Sequence, residues 1–183
     1  AFANIVGGIF IALFKPFRIG DRIRFLEKDF IGLVEDVTLR HTVIQTFDNK
    51  RIIVPNTVIS KEIIINENII DAKTAKYFEI GISYDSNVDR AIEIIKEEAL
   101  KHPDVIDNRT EEEKNGNVDQ IIVRLINFTD SAVTLRGIVW TKSPAKAFIV
   151  GCDLNKSVKA RFEQEGIEIP FPHRTIVYKD KKI

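Results

Sequence analysis

Methionine is absent from all 183 residues, position 1 included, so the chain reads as a fragment of something longer or as a processed product. A single cysteine, Cys152, excludes an internal disulfide and fits a reducing compartment. With only three histidines beside it, and no paired-cysteine spacing, the chain has no pattern for a zinc site. Charge of either sign is not in excess: 27 basic residues face 27 acidic ones, which excludes a global nucleic-acid-binding field. An RNA-stacking sheet would need exposed aromatics, and Ile121–Phe128 offers only Phe128. There is no Gly-x-Gly-x-x-Gly turn, no phosphate-loop lysine and no nucleophile beside an oriented base. His41, His102 and His173 read as structural or solvated, Cys152 as a core residue on a helix, and Glu111-Glu112-Glu113 as a solvated charge run. These absences leave no enzyme, no cofactor and no metal site to expect.

What is present is a globular composition, 44% apolar and 30% charged, at a length suited to two small domains. Ala1 to Phe14 (AFANIVGGIFIALF) carries one polar residue, Asn4. As a helix it would measure about 21 Å, short of the ~30 Å hydrocarbon core, so alone it does not span a membrane. Small residues recur four apart, Ala3 with Gly7 and Gly8 with Ala12, a spacing that lets helix backbones approach closely. Lys15, Pro16, Phe17 and Arg18 follow, then Arg22 and Arg24, a cluster suited to anionic headgroups at an inner membrane face. The segment reads either as a core helix or as the cut end of a membrane helix. Adjacent glycines, each roughly 1 kcal/mol worse than alanine in a helix, favour the second.

From Ile19 to Lys76 the periodicity is β. Arg22–Leu26, Phe30–Thr38 with a bulge or bend expected at Gly32, Arg40–Phe47 and Arg51–Val54 are strands, the last two joined by a turn at Asp48-Asn49-Lys50. Pro55-Asn56 ends the last of them, and Ile63–Ile65 and Ile69-Ile70 are short apolar runs. So many short strands in so few residues suggest a small barrel. Residues 77 to 172 read as strand, helix, strand, strand, helix. The first helix is expected to be capped by Ser86 and to stop by His102, and Asp104–Asp119 to be a loop. Ser143-Pro144 opens a second helix that presents Phe148, Cys152, Val158 and Phe162 as its apolar surface and ends at Gly166. With a final strand at Ile176–Tyr178 the order is βαββαβ, a ferredoxin-like split unit in an α+β chain.

Asn4-Ile-Val-Gly-Gly, Phe14-Lys-Pro-Phe-Arg-Ile-Gly-Asp and Ile53-Val-Pro-Asn-Thr-Val-Ile, in that order, resemble the small-conductance mechanosensitive channel family. Gly81-Ile-Ser-Tyr-Asp-Ser-Asn and Gly166-Ile-Glu-Ile-Pro-Phe-Pro are similar to that family's C-terminal domain. The resemblance implies the end of a pore-lining helix (1–18), an Sm-like β domain (19–76), a ferredoxin-like α/β domain (77–172) and a terminal strand and tail (173–183). Ala3, Asn4, Gly7, Gly8 and Ala12 then pack the pore helix, and Lys15, Pro16, Phe17, Arg18, Arg22 and Arg24 form the membrane-face junction. Pro55 and Asn56 make the β-domain turn. Thr175, Ile176, Val177 and Tyr178 belong to a strand that joins an axial barrel between subunits. The resemblance further implies a homoheptamer in the cell membrane, with this region on the cytoplasmic side, lipid at its basic cluster, and ions and small osmolytes passing through. The constricting residues of the pore would precede Ala1. A soluble α/β protein that binds a small ligand or regulates a partner is the competing reading.

Overall fold

A computed structural model describes residues 2–28, 30–174 and 176. The chain divides into two compact units, Ala1–Lys73 and Thr74–Ile183.

The first unit opens with helix α1 (Phe2–Phe14), and strands β1 (Arg22–Phe25), β2 (Phe30–Val37), β3 (His41–Gln45) and β4 (Arg51–Pro55) follow. A one-turn helix α2 (Asn56–Ile59) and strand β5 (Ile64–Asn66) complete it. All pairings are antiparallel, in the order β4-β3-β2-β1-β5, with β4 and β5 at the two edges. Alternation in β1 sends Ile23 and Phe25 inward and Arg22 and Arg24 outward, which is the period-two logic of a half-buried strand. Val34, Ile44, Val54 and Ile59 join them in a core that also takes Ile11 of α1 and Phe17. The bulge does not fall at Gly32, which pairs regularly with Ile23; the register slips between Val34 and Asp36. Gly32 is needed for close approach instead, because a Cβ there would stand 2.5 Å from the Gln45 carbonyl oxygen.

The second unit contains β6 (Thr74–Ile82), α3 (Val88–Lys101), α4 (Glu111–Asn115), β7 (Ile122–Phe128), β8 (Val133–Thr141) and α5 (Pro144–Glu165). Its sheet runs β6-β8-β7, all antiparallel. This is a βαββα arrangement with three strands among the described residues. Of the expected terminal strand, Thr175, Val177 and Tyr178 lie outside the described residues, and Ile176 is exposed and outside any strand. Phe78, Ile82, Leu135 and Val139 of the sheet meet Ile94 and Ile95 of α3 and Val150, Leu154, Val158 and Phe162 of α5.

Three expectations in this unit need correction. Asn87, not Ser86, caps α3, accepting from the Arg90 amide at 3.0 Å, while Ser86 Oγ accepts from the Glu168 amide. Asp104–Asp119 is not all loop: Thr110 and Glu113 close a reciprocal capping box on α4. The buried stripe of α5 is Ala147, Val150, Gly151, Leu154, Val158 and Phe162, so Phe148 and Cys152 face outward. Ser143, Pro144 and the left-handed Gly166 hold the cap, N1 and C-cap positions.

An ion-pair cluster ties α3 to α5. Arg90 and Arg161 both reach Glu165, at 2.8 and 2.6 Å, and Arg161 also reaches Glu97 and Glu98 at 3.0 Å. Hydrogen bonds from the Arg90 and Arg161 guanidinium groups pull the Glu165 carboxyl down to about 2. A depressed carboxyl stabilises the fold above its unfolded pKa and loses that contribution as pH falls through the folded one. Acid unfolding of the second unit is therefore expected to draw on Glu165 as pH drops from the ordinary glutamate range, near 4.5, toward 2. Circular dichroism across that interval should show Glu165→Gln less pH-dependent than wild type. An identical slope would remove the cluster from the account.

Candidate functional site

The face of α1 that meets α2, Leu39 and the core is written at helical spacing: Asn4, Gly7, Gly8 and Ile11 stand at i, i+3, i+4 and i+7. Gly7, Gly8 and Ile11 are buried. A Cβ at Gly8 would lie 2.4 Å from the Leu39 carbonyl oxygen and 2.8 Å from Asn56 Nδ2. At Gly7 it would lie 2.9 Å from the Asn56 carbonyl. Only glycine lets the helix rest directly on this backbone. The opposite face is apolar yet uncovered within the unit: Val6, Ile9, Phe10, Leu13 and Phe14 are exposed, the last two above 70%. Ala12 is exposed rather than packed, and Ala3 is exposed on the rim of an open groove shared with Val6, Phe10 and Lys61. Within the unit the seat of α1 is therefore made by Asn4, Gly7, Gly8 and Ile11, and Ala3 and Ala12 of the small-residue spacing take no part in it. No helix among the described residues is long and apolar enough to cross a membrane.

Beneath the glycines lies a polar knot that sequence reading reduced to a turn. Pro55 ends β4 and holds the N-cap position of α2, so Pro55-Asn56 is a strand-to-helix junction rather than a simple turn. Asn56 and Thr42 are both fully buried. Asn56 Nδ2 donates to the Thr38 carbonyl at 2.8 Å, and Thr42 Oγ1 donates to Asn56 Oδ1 at 3.0 Å. One carboxamide thereby satisfies a donor and an acceptor that burial would otherwise orphan. Next to it, the Thr57 amide donates to Asn4 Oδ1 at 3.2 Å, and the Thr57 hydroxyl donates to the same oxygen. Asn4 is thus hydrogen-bonded to the first turn of α2.

The helix exits through Lys15, whose φ of 47° lies in the left-handed region and whose amide still reaches the Ile11 carbonyl at 2.9 Å. Pro16 then bars further helix, and Phe17 drops into the core at 2% exposure. The Asp21 carboxylate accepts from the Arg18 amide at 2.9 Å and from Asn66 Nδ2 at 2.8 Å. Asn66 Nδ2 also donates to the Pro16 carbonyl at 3.1 Å. The basic cluster divides in two. Lys15 and Arg18 are exposed and form no ion pair among the described residues. Arg22 is half-buried, 2.9 Å from Glu67, with its guanidinium 4.7 Å above the Phe47 ring; Arg24 stands 3.7 Å from the same carboxylate.

Sequence reading missed the roles of Thr38, Thr42, Thr57, Asp21 and Asn66, which look like ordinary strand, turn and loop residues until their distant partners are known. No group of three or more His, Cys, Asp or Glu among the described residues could hold a metal ion. His102 Nε2 and Asp153 Oδ2 stand 3.0 Å apart, with no nucleophile in the arrangement.

Two family models match the chain: the mechanosensitive ion channel β-domain over residues 1–69, and the mechanosensitive ion channel MscS C-terminal region over residues 77–169. An uncharacterized MscS family protein of Archaeoglobus fulgidus is 34% identical over 178 residues, covering 95% of this chain and 56% of the relative. The large-conductance mechanosensitive channel MscMJLR of Methanocaldococcus jannaschii is 31% identical over 188 residues, covering 97% of this chain and 47% of the relative. The chain thus spans about half the length of the curated relatives it matches. A crystal structure of Helicobacter pylori MscS in a closed state superposes with a TM-score of 0.84 at 24% identity, over 98% of this chain and 66% of that one, a likeness of fold. With the two family models together covering most of the chain, it belongs to the MscS family of mechanosensitive ion channels.

Proposed function

We propose that this chain is the membrane-proximal and vestibule portion of a channel that opens under membrane tension and releases ions and small osmolytes on hypo-osmotic shock. In this reading α1 is the lower half of the pore helix, and Lys15–Arg18 is its junction with the β domain at the inner face of the cell membrane. Residues 19–76 and 77–172 are the Sm-like and ferredoxin-like domains on the cytoplasmic side. Residues 173–183, with Thr175, Ile176, Val177 and Tyr178, supply the axial barrel strand. Seven copies form the ring.

One observation carries the reading: α1 is apolar on both sides, yet only one side is seated on its own domain. A helix confined to a soluble core would expose polar residues on the far face. Val6, Ile9, Phe10, Leu13 and Phe14 instead suit a lipid or helix neighbour in a ring. The test is the subunit count of the protein that carries this chain, purified in mild detergent. Seven subunits are expected; a monomer would remove the channel reading.

In this reading the lipid contact is made by Lys15 and Arg18, the two members of the basic cluster that are exposed and form no ion pair among the described residues. Each near-surface cation contributes about 1 kcal/mol to attraction by an anionic leaflet. Lys15→Gln and Arg18→Gln are each expected to weaken cosedimentation of the chain with phosphatidylserine vesicles several-fold. Arg22→Gln should leave that binding in place and lower thermal stability, because it removes the nearer cation from Glu67 and the guanidinium from the Phe47 ring. Equal effects from all three would put Arg22 back among the lipid contacts.

A further inference from the structure

Asn66 is the last residue of β5, an edge strand, and pairs in register with Ile23. Its side chain works outward from that strand in three directions. Nδ2 donates to the Pro16 carbonyl at 3.1 Å and to Asp21 Oδ2 at 2.8 Å, and Oδ1 accepts from the Asn68 amide at 2.9 Å. Asn68 Oδ1 in turn accepts from the Arg22 amide at 2.8 Å, which closes the set onto β1. Asp21 is itself held by the Arg18 amide, while its own amide donates to the Arg18 carbonyl at 3.0 Å. The carbonyl of Pro16 belongs to the residue that stops α1, where the intrahelical ladder has ended and an outside donor is needed. Asn66 supplies that donor.

Helix α1 is therefore gripped at both ends. Asn4 holds the first turn to Thr57 of α2, and Asn66 holds Pro16, two residues past the last turn, to β5. Between them Gly8 rests on the Leu39 carbonyl without a side chain to lock it sideways. A force that moves the upstream end of such a helix is passed to the sheet through whichever attachment resists last. The Pro16 attachment stands next to the left-handed Lys15 and the proline, where the chain has already left helical geometry and can turn.

We infer that Asn66 is a positioning residue for gating: it fixes the far end of α1 to the β domain, so that displacement of the helix drags β5 and raises the tension needed to open. The inference rests on the channel reading above. Only a carboxamide fits the role as built, since the position must donate twice and accept once from one planar group. Aspartate has the same shape and no donor, and it would face Asp21 as a second carboxylate.

The test uses the whole protein that carries this chain, in excised patches, comparing wild type, Asn66→Asp and the exchange Asp21→Asn with Asn66→Asp. The exchange restores a hydrogen bond between positions 21 and 66 with donor and acceptor reversed, but leaves the Pro16 carbonyl without its donor. Asn66→Asp is expected to favour opening about tenfold at fixed tension, equivalent to about 1.4 kcal/mol, with unitary conductance unchanged. The exchange is expected to recover thermal stability while keeping the lowered opening tension. A purely structural role would return both together, and that result would overturn the inference. So would an unchanged or raised opening tension in Asn66→Asp against a gated wild type. A wild type that stays silent under tension would instead defeat the channel reading itself, which separates the two failures.

Discussion

Asn56→Ala is expected to be the most damaging single change in the first unit. The side chain is fully buried between the Thr38 carbonyl and the Thr42 hydroxyl, and alanine leaves both without the partner that Asn56 provides. Each orphaned group costs roughly 1–3 kcal/mol, because its water was already removed by folding. A vacancy the size of a carboxamide adds to that. The loss should be confined to the transition of residues 1–73, since none of these groups lies in the second unit. Hydrogen exchange resolves the two units: amides of β3 and α2 should lose protection while those of β8 keep theirs. Asn56→Asp sharpens the argument. A buried carboxylate facing the Thr38 carbonyl resists ionisation, so its folded pKa lies above its unfolded one. Stability should then fall further as pH rises through the ordinary aspartate range. A variant equally stable at pH 4 and pH 7 would show the site to be wetter than its geometry implies.

Gly8→Ala is the second large effect. Its new methyl would begin 2.4 Å from the Leu39 carbonyl oxygen and 2.9 Å from the Leu39 carbonyl carbon, backbone atoms that cannot swing aside. The helix must lift, which strains the Asn4–Thr57 bonds as well. Overpacking of this kind costs roughly 1–3 kcal/mol, although alanine is itself the better helix former. The two effects oppose each other, and the clash wins because a backbone carbonyl has no rotamer to change. Gly7→Ala meets only atoms at 2.9 Å or beyond and should cost less. Ala12 is exposed, and Ala12→Gly should show only the propensity loss of about 1 kcal/mol. Thermal unfolding that ranked Ala12→Gly as the worst of the three would contradict the seat described for α1.

The pattern of what could be read in advance follows from how far each signal reaches along the chain. Ser143-Pro144 and Gly166 mark the ends of α5 because caps are local: each satisfies backbone groups within one turn. The turn at Asp48–Lys50 was legible for the same reason, with the Asn49 amide reaching the Thr46 carbonyl. The glycine pair announced a close approach, and the approach is there. Its partner was not legible, since Leu39 and Asn56 lie far along the chain and become neighbours only once the sheet is built. Asn56 and Asn66 look like turn residues by composition, and their roles depend on partners 14 to 50 positions away. Helix α4 escaped notice because it has no apolar face; its reciprocal Thr110–Glu113 cap holds it instead. On α5, Phe148 and Cys152 attract attention as apolar residues, but the 22-residue helix turns them outward, and Ala147, Val150 and Gly151 face inward.

The proposed role of α1, seated on its β domain through Asn4, Gly7 and Gly8, is to line a pore that tension opens. The most direct measurement is a recording from excised patches containing the protein that carries this chain, stepped through increasing suction in cells that lack other tension-gated channels. Unitary currents are expected that appear reproducibly below the lytic tension and that shift along the tension axis in Gly8→Ala. Patches that rupture without such currents, while the protein is present in the membrane as assembled rings, would contradict that role.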